Sequence, residues 1–119
     1  MSKVVKQSVI KMEIGLNKDK LPEQIMWQSS DQKDNDLPQE CKAMLLSLFD
    51  KESKDTLKID LWTTEMQVVE MDRFMFQTLR GMAESYFRAT GNKLLYNDMQ
   101  LFVDYFGKQT GIISEDKLT

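Results

Sequence analysis

A change of periodicity near Trp62 is the feature that most constrains the fold of this 119-residue chain. Before that point apolar and polar residues alternate, as between Ile10 and Leu16, and a period of two is typical of half-buried strands. After Thr64 the apolar residues recur at steps of three and four, which predicts amphipathic helices. Strands followed by helices indicate an α+β fold.

The pattern predicts four strands and two helices. The strands cover about 4–16, 23–29, 42–49 and 57–62 and form one four-stranded antiparallel sheet. The helices cover about 66–90 and 97–107 and pack on one face of that sheet. We expect residues 1–109 to form a single domain, since a chain of this size suits one core, and 110–119 to form a flexible C-terminal tail.

Residues at the element ends refine these boundaries. Thr64 and Asn97 are predicted to cap the N-termini of the two helices, because their side-chain oxygens accept hydrogen bonds from free backbone N–H groups. Gly91 and Gly107 are predicted to end them. Gly81 lies inside the first helix, where it either permits the close approach of a neighbouring backbone or is tolerated without a role.

The residue types exclude most enzyme chemistry. The chain contains no histidine, the side chain most often used for proton transfer near neutral pH and for binding zinc or iron. Cys41 has no second cysteine and no histidine partner, so it is predicted to be a structural thiol rather than a nucleophile. The five glycines are scattered and form no phosphate loop. We therefore predict a protein that is not an enzyme, with no catalytic residues and no cofactor.

A metal site is predicted to be absent as well. Asp31, Asp34 and Asp36 resemble the start of a calcium loop, but such a loop requires glycine at its sixth position and a carboxylate at its twelfth. These positions hold Asp36 and Lys42. A solvated loop is the better interpretation of this segment.

Charge and cysteine content limit the partners and the location. The net charge is −3 and three of the sixteen basic residues are arginine, a composition that argues against a nucleic-acid partner. A lone cysteine, with no secretion signal and no transmembrane span, predicts a cytoplasmic protein without direct membrane insertion.

Four apolar side chains exceed what a minimal core needs. Leu45 and Phe49 occupy the second face of the third predicted strand, and Trp62 lies on the polar face of the fourth. Phe74 projects away from the centre of the apolar arc of the first helix. These four residues are the candidate interface, either with other proteins or with a second copy of the chain. In the alternative interpretation, the N-terminal segment or the loop from Asp31 to Pro38 covers them.

Several segments of the chain resemble the family of the gliding motility-associated protein GldC. The resembling segments are Pro22–Trp27, Lys42–Asp50, Leu57–Thr63, Gln77–Leu79, Arg88–Gly91 and Met99–Phe106. The resemblance implies a small soluble protein that accompanies the bacterial gliding apparatus on the cytoplasmic side. Together with the surplus of apolar side chains, it predicts an accessory or assembly protein that acts through protein–protein interaction. It implies no catalytic or ligand residues.

The predicted order of strands and helices also resembles the export chaperone SecB in layout. That resemblance implies an alternative, a module that binds unfolded clients on apolar grooves, here using Phe74 and the methionines. A carboxylate-based enzyme or ligand carrier is the least supported hypothesis.

Overall fold

The computed structural model of the protein describes residues 3–31 and 37–114. Its elements are β1 (Ile10–Leu16), β2 (Pro22–Ser29), β3 (Gln39–Cys41), β4 (Ala43–Phe49), β5 (Thr56–Trp62), α1 (Val68–Thr90) and α2 (Lys93–Gln109). The chain divides into two compact units, a sheet unit over Met1–Met66 and a helical unit over Gln67–Thr119. The predicted α+β class and the antiparallel pairing of the strands are confirmed.

The strands form two sheets, so the prediction of one four-stranded sheet is wrong. One sheet has the order β1-β2-β3 and the other contains β4 and β5. The predicted third strand, at about 42–49, is β4, which pairs with β5. The chain bends at Lys42, and a short strand that was not predicted, β3, precedes the bend and pairs with β2. Alternation of apolar residues reports which face of a strand is buried, but it does not report where a strand changes its partner.

The buried centre of the sheet unit is Ile25, on the middle strand of the three-stranded sheet. Its exposed fraction is 0%, and it lies opposite Ile14 of β1 and Cys41 of β3. Among the described residues of this unit, no other apolar side chain is as fully enclosed. The first strand begins at Ile10, later than the predicted start near residue 4, because pairing with β2 begins there.

A hydrogen-bonded connection between β4 and β5 fixes their register. The Asp50 carboxylate accepts hydrogen bonds from the backbone N–H groups of Ser53 at 2.7 Å and Glu52 at 3.1 Å. The bonds from Ser53 hold the pKa of this carboxyl group below its ordinary value. The backbone N–H of Asp50 donates to the carbonyl of Asp55 at 2.9 Å, which places Phe49 directly opposite Thr56.

In the helical unit, α1 begins two residues later than predicted. The backbone N–H of Gln67 donates to Oε1 of Glu70 at 3.1 Å, so Gln67 occupies the N-cap position that we predicted for Thr64. The predicted end at Gly91 is confirmed. Gly91 has a positive φ of 69°, and its N–H donates to the carbonyl of Phe87 at 2.8 Å.

The second helix is longer at both ends than predicted. Asn92 Oδ1 accepts a hydrogen bond from the N–H of Leu95 at 3.1 Å, so Asn92 is the N-cap and the prediction of Asn97 is wrong. Gly107 does not end the helix. It is buried, and a Cβ atom added to it would lie 2.7 Å from Cε1 of Phe76 and 2.5 Å from Cδ1 of Ile113. This position needs glycine because α1 and Ile113 approach it closely.

Gly81 and the residues after 109 also differ from what we predicted. Within residues 3–31 and 37–114, no atom beyond the local helix backbone lies within 4 Å of a Cβ added to Gly81, so its interpretation as a site of close approach is wrong. We predicted a flexible tail from residue 110, yet the N–H of Ile113 donates to the carbonyl of Gly107 at 2.9 Å. Thr110 Oγ1 also donates to the carbonyl of Phe106 at 2.7 Å. Residues 115–119 lie outside the described residues.

Candidate functional site

The two-stranded sheet of β4 and β5, called the ribbon below, contains three of the four predicted interface residues. Its register places them on one face, called the mixed face: Ala43, Leu45, Ser47, Phe49, Thr56, Lys58, Asp60 and Trp62. The opposite face, called the apolar face, carries Met44, Leu46, Leu48, Leu57, Ile59 and Leu61. The ribbon therefore brings Leu45, Phe49 and Trp62 together on one surface, and their role there stays a prediction.

The mixed face combines exposed aromatic groups with two opposite charges. Trp62 is 53% exposed and Phe49 is 70% exposed, whereas Leu45 is half-buried. Lys58 Nζ lies 3.6 Å from Asp60 Oδ2, and both side chains are at least half exposed. An ion pair in such contact with water adds little stability, so both charges are available to a partner.

The apolar face differs from the sequence-based expectation. Alternation along β5 predicts that Leu57, Ile59 and Leu61 point inward, but Leu57 is 58% exposed, Ile59 is 40% exposed and Leu61 is half-buried. Leu46 and Leu48 of β4 are exposed beside them. Sequence reasoning missed this surface, although β4 is apolar at both parities, which is typical of a strand that is covered on both faces. Four of the six side chains on this face are exposed, which indicates a binding surface.

An open apolar cavity lies where β5 ends. Its volume is about 330 Å³, and it is lined by Leu21, Pro22, Asp60, Leu61, Trp62, Thr63 and Thr64. The N–H of Thr64 donates to the carbonyl of Pro22 at 3.1 Å and joins the end of β5 to the start of β2. An exposed indole beside an apolar cavity is suited to bind a side chain of another protein, because tryptophan supplies a large contact area with little conformational freedom to lose.

Buried Thr63 supports the floor of this cavity. Its N–H donates to the carbonyl of Lys42 at 2.8 Å, which extends the pairing of the ribbon to the bend between β3 and β4. Its Oγ1 is buried and, among the described residues, has no hydrogen-bond partner. Thr63 therefore helps to fix the end of β5 in place and offers no accessible polar group to a ligand.

The fourth predicted residue, Phe74, lies in the helical unit, where it is half-buried on α1. The exposed apolar groove of that unit is formed by other residues. It has a volume of about 350 Å³ and is lined by Leu79, Met82, Leu95, Asp98, Met99, Phe102 and Val103. A stack of Phe87 of α1 on Tyr96 of α2, with ring centroids 4.6 Å apart, holds the two helices together next to it.

Groups capable of chemistry are few in the described part of the chain. Across residues 3–31 and 37–114, no three His, Cys, Asp or Glu side chains converge on a common point. Of the three aspartates considered for a cation, Asp34 and Asp36 lie outside the described residues. Cys41 is half-buried, and that burial raises the pKa of its thiol, which lowers the fraction present as the reactive thiolate. Neither helix is long and apolar enough to cross a lipid bilayer.

Comparison with known proteins identifies one family. Residues 22–112 match the family model described as gliding motility-associated protein GldC-like. The matched range contains every element from β2 to α2, and therefore the whole ribbon and both helices. No curated protein and no solved structure matches the chain.

Proposed function

The chain belongs to the GldC-like family of gliding motility-associated proteins, and from that premise we propose that it is a non-enzymatic accessory or assembly protein of the gliding apparatus. It acts on the cytoplasmic side and binds another protein through the mixed face of its ribbon. The observation that carries the proposal is the half-exposed indole of Trp62 beside an apolar cavity of about 330 Å³.

The surroundings of Trp62 support a protein as the ligand. Binding hot spots are commonly formed by Trp, Tyr or Arg next to a pocket, with polar groups at the rim. Here Leu21, Pro22 and Leu61 supply the apolar wall and Asp60 supplies the rim. Phe49 lies at the other end of the same face, so a partner that contacts both aromatic groups covers the length of the ribbon.

Replacement of Trp62 by alanine tests this proposal. We expect a strain that lacks the gene to glide poorly, the wild-type chain to restore gliding, and Trp62→Ala to fail to restore it. The expected loss of affinity is about 30-fold or more, because truncation of a central tryptophan costs about 2 kcal/mol or more. Gliding speed and colony spreading are measured at equal protein levels.

Ile10→Ala is the matched control, since Ile10 is 73% exposed on β1 and lies on the other sheet. It should restore gliding as the wild type does. A photoreactive amino acid at position 62 should also cross-link to a component of the gliding apparatus, whereas the same group at position 10 should not. Full gliding with Trp62→Ala would contradict the proposal.

The groove of the helical unit favours a second candidate function, the binding of unfolded clients. Met82 and Phe102 are each more than half exposed there, and flexible methionine side chains adapt to varied partners. If this is the function, the protein suppresses the aggregation of an unrelated unfolded protein at equimolar ratio, and Met82→Ala with Phe102→Ala weakens the effect. Light scattering measures it, and Trp62→Ala should leave it unchanged.

A further inference from the structure

The outer edge of β5 is open to another strand. In the described part of the chain, β5 pairs with β4 along one edge and with no strand along the other. The N–H of Thr63 donates to the carbonyl of Lys42, directly before β4, and therefore points to the paired edge. Because backbone groups alternate in direction along a strand, those of Thr56, Lys58, Asp60 and Trp62 point to the open edge. Beyond Trp62 this edge is joined to β2, since the N–H of Thr64 donates to the carbonyl of Pro22 at 3.1 Å. The groups of Thr56, Lys58 and Asp60 can receive an additional strand.

The ribbon also has too few strands for independent stability. A two-stranded sheet is at best marginally stable in water, whereas three or more strands with an apolar face are stable. The ribbon has such a face, and most of its side chains are exposed. A strand added beside β5 would give Leu57, Ile59 and Leu61 a second cross-strand neighbour.

Charges on β5 are arranged so that the strand complements itself. Lys58 and Asp60 lie on the mixed face, one on either side of Ile59 along the strand. The side chain of Ile59 lies on the apolar face. We propose that β5 pairs antiparallel with β5 of a second copy of this chain, about a twofold axis at Ile59. Each Lys58 then lies opposite Asp60 of the other copy, Ile59 lies opposite Ile59, and Leu57 lies opposite Leu61. The two ribbons form one four-stranded sheet.

Only this register satisfies both the charges and the backbone. A shift by two residues in one direction places Lys58 opposite Lys58, and a shift in the other direction places Asp60 opposite Asp60, which is destabilising. A shift by one residue places outward-directed backbone groups opposite inward-directed ones and exchanges the two faces. The sequence of β5 therefore favours this one register of the pairing over its neighbours.

Strand β1 offers a direct comparison, because it carries the same pattern. Lys11 and Glu13 flank Met12, and Lys11 Nζ lies 3.2 Å from Glu13 Oε1. However, β1 belongs to the three-stranded sheet, and its register with β2 shifts between Gly15 and Leu16. Irregularities of this kind protect edge strands from pairing. The regular β5, in the smaller sheet, is the edge that pairs.

The pairing deepens the proposed function by naming one partner of the ribbon, and sedimentation equilibrium of the purified full chain tests it separately. At about 100 μM, where a dimer with a micromolar Kd is formed, we expect the wild type to be dimeric. Asp60→Lys places lysines opposite one another and should weaken the dimer about 10-fold or more, with partial recovery at high salt. Lys58→Asp should weaken it similarly.

The double variant Lys58→Asp/Asp60→Lys exchanges the charges and should restore the dimer to within about threefold of the wild type. Glu13→Lys on β1 is the matched control and should leave the dimer unchanged. A monomeric wild type, a failure of the double variant to recover, or a loss of the dimer in Glu13→Lys would each overturn the proposal. Circular dichroism checks that each variant is folded. Gliding by Trp62→Ala is a separate readout, so the two proposals can fail independently.

Discussion

Replacement of Ile25 by alanine is expected to lower the free energy of unfolding of the sheet unit by about 2–5 kcal/mol. Ile25 is 0% exposed, on the middle strand of the three-stranded sheet, between Ile14 and Cys41. Removal of its side chain leaves a cavity. The strands on both sides cannot move in to fill it, because backbone pairing holds them in place. The backbone hydrogen bonds are unchanged, so the loss reports packing alone.

Tryptophan fluorescence during urea denaturation measures this change. The chain has two tryptophans, Trp27 on β2 and Trp62 on β5, and both lie in the sheet unit. Ile10→Ala is the matched control on the same sheet. Since Ile10 is 73% exposed, its loss should change the free energy of unfolding by no more than about 0.5 kcal/mol. Equal effects of the two substitutions would show that Ile25 is not the centre of this unit.

Replacement of Gly107 by alanine is expected to destabilise the helical unit by about 1–3 kcal/mol, although alanine is the better helix former. The added methyl group would lie within 2.8 Å of the side chains of Phe76 and Ile113. Ile113 is a flexible side chain and can move, but Phe76 is buried between the helices. The helices must therefore separate or the ring must leave its position.

Gly81→Ala is the matched control for Gly107→Ala, because it makes the same change in a helix where no other described part of the chain lies within 4 Å of the new methyl group. It should stabilise the helical unit by about 0.5–1 kcal/mol, which is the helix propensity term without a clash. Thermal unfolding followed by circular dichroism at a helical wavelength measures both variants. Two shifts of the same sign would contradict the packing assigned to Gly107.

The two probes also test the prediction of a single domain. When both probes are recorded during urea denaturation of the wild type, fluorescence follows the sheet unit, and circular dichroism is dominated by the helices, which lie in the helical unit. Coincident transitions in the wild type would confirm that residues 1–109 unfold as one cooperative domain. Transitions at different urea concentrations would show that the two units are separately stable.

Family membership and structure contribute different parts of the functional argument. Membership in the GldC-like family associates the chain with gliding motility, but names no residue. The ribbon supplies residues, namely an exposed Trp62 at a cavity and an open β5 edge with opposite charges on either side of Ile59.

Sequence alone determined the features that depend on neighbouring residues. Alternation up to Trp62 and helical spacing after it gave the α+β class, and Gly91 gave the end of α1, because a left-handed residue is needed there whatever the surroundings. The common face of Leu45, Phe49 and Trp62 also followed from parity along the two strands. Each of these features is encoded within a few residues of the chain.

The tertiary structure decided the features that depend on distant contacts. The bend at Lys42 separates the two sheets because the residues before it pair with β2 and the residues after it pair with β5. Local spacing does not show which strand is the partner. Gly107 looked like a helix end, yet its role depends on Phe76, thirty-one positions earlier in the chain. Leu57 and Ile59 have the pattern of buried residues, yet they are exposed. Burial requires a partner that covers the face, and local spacing shows only which face such a partner would cover.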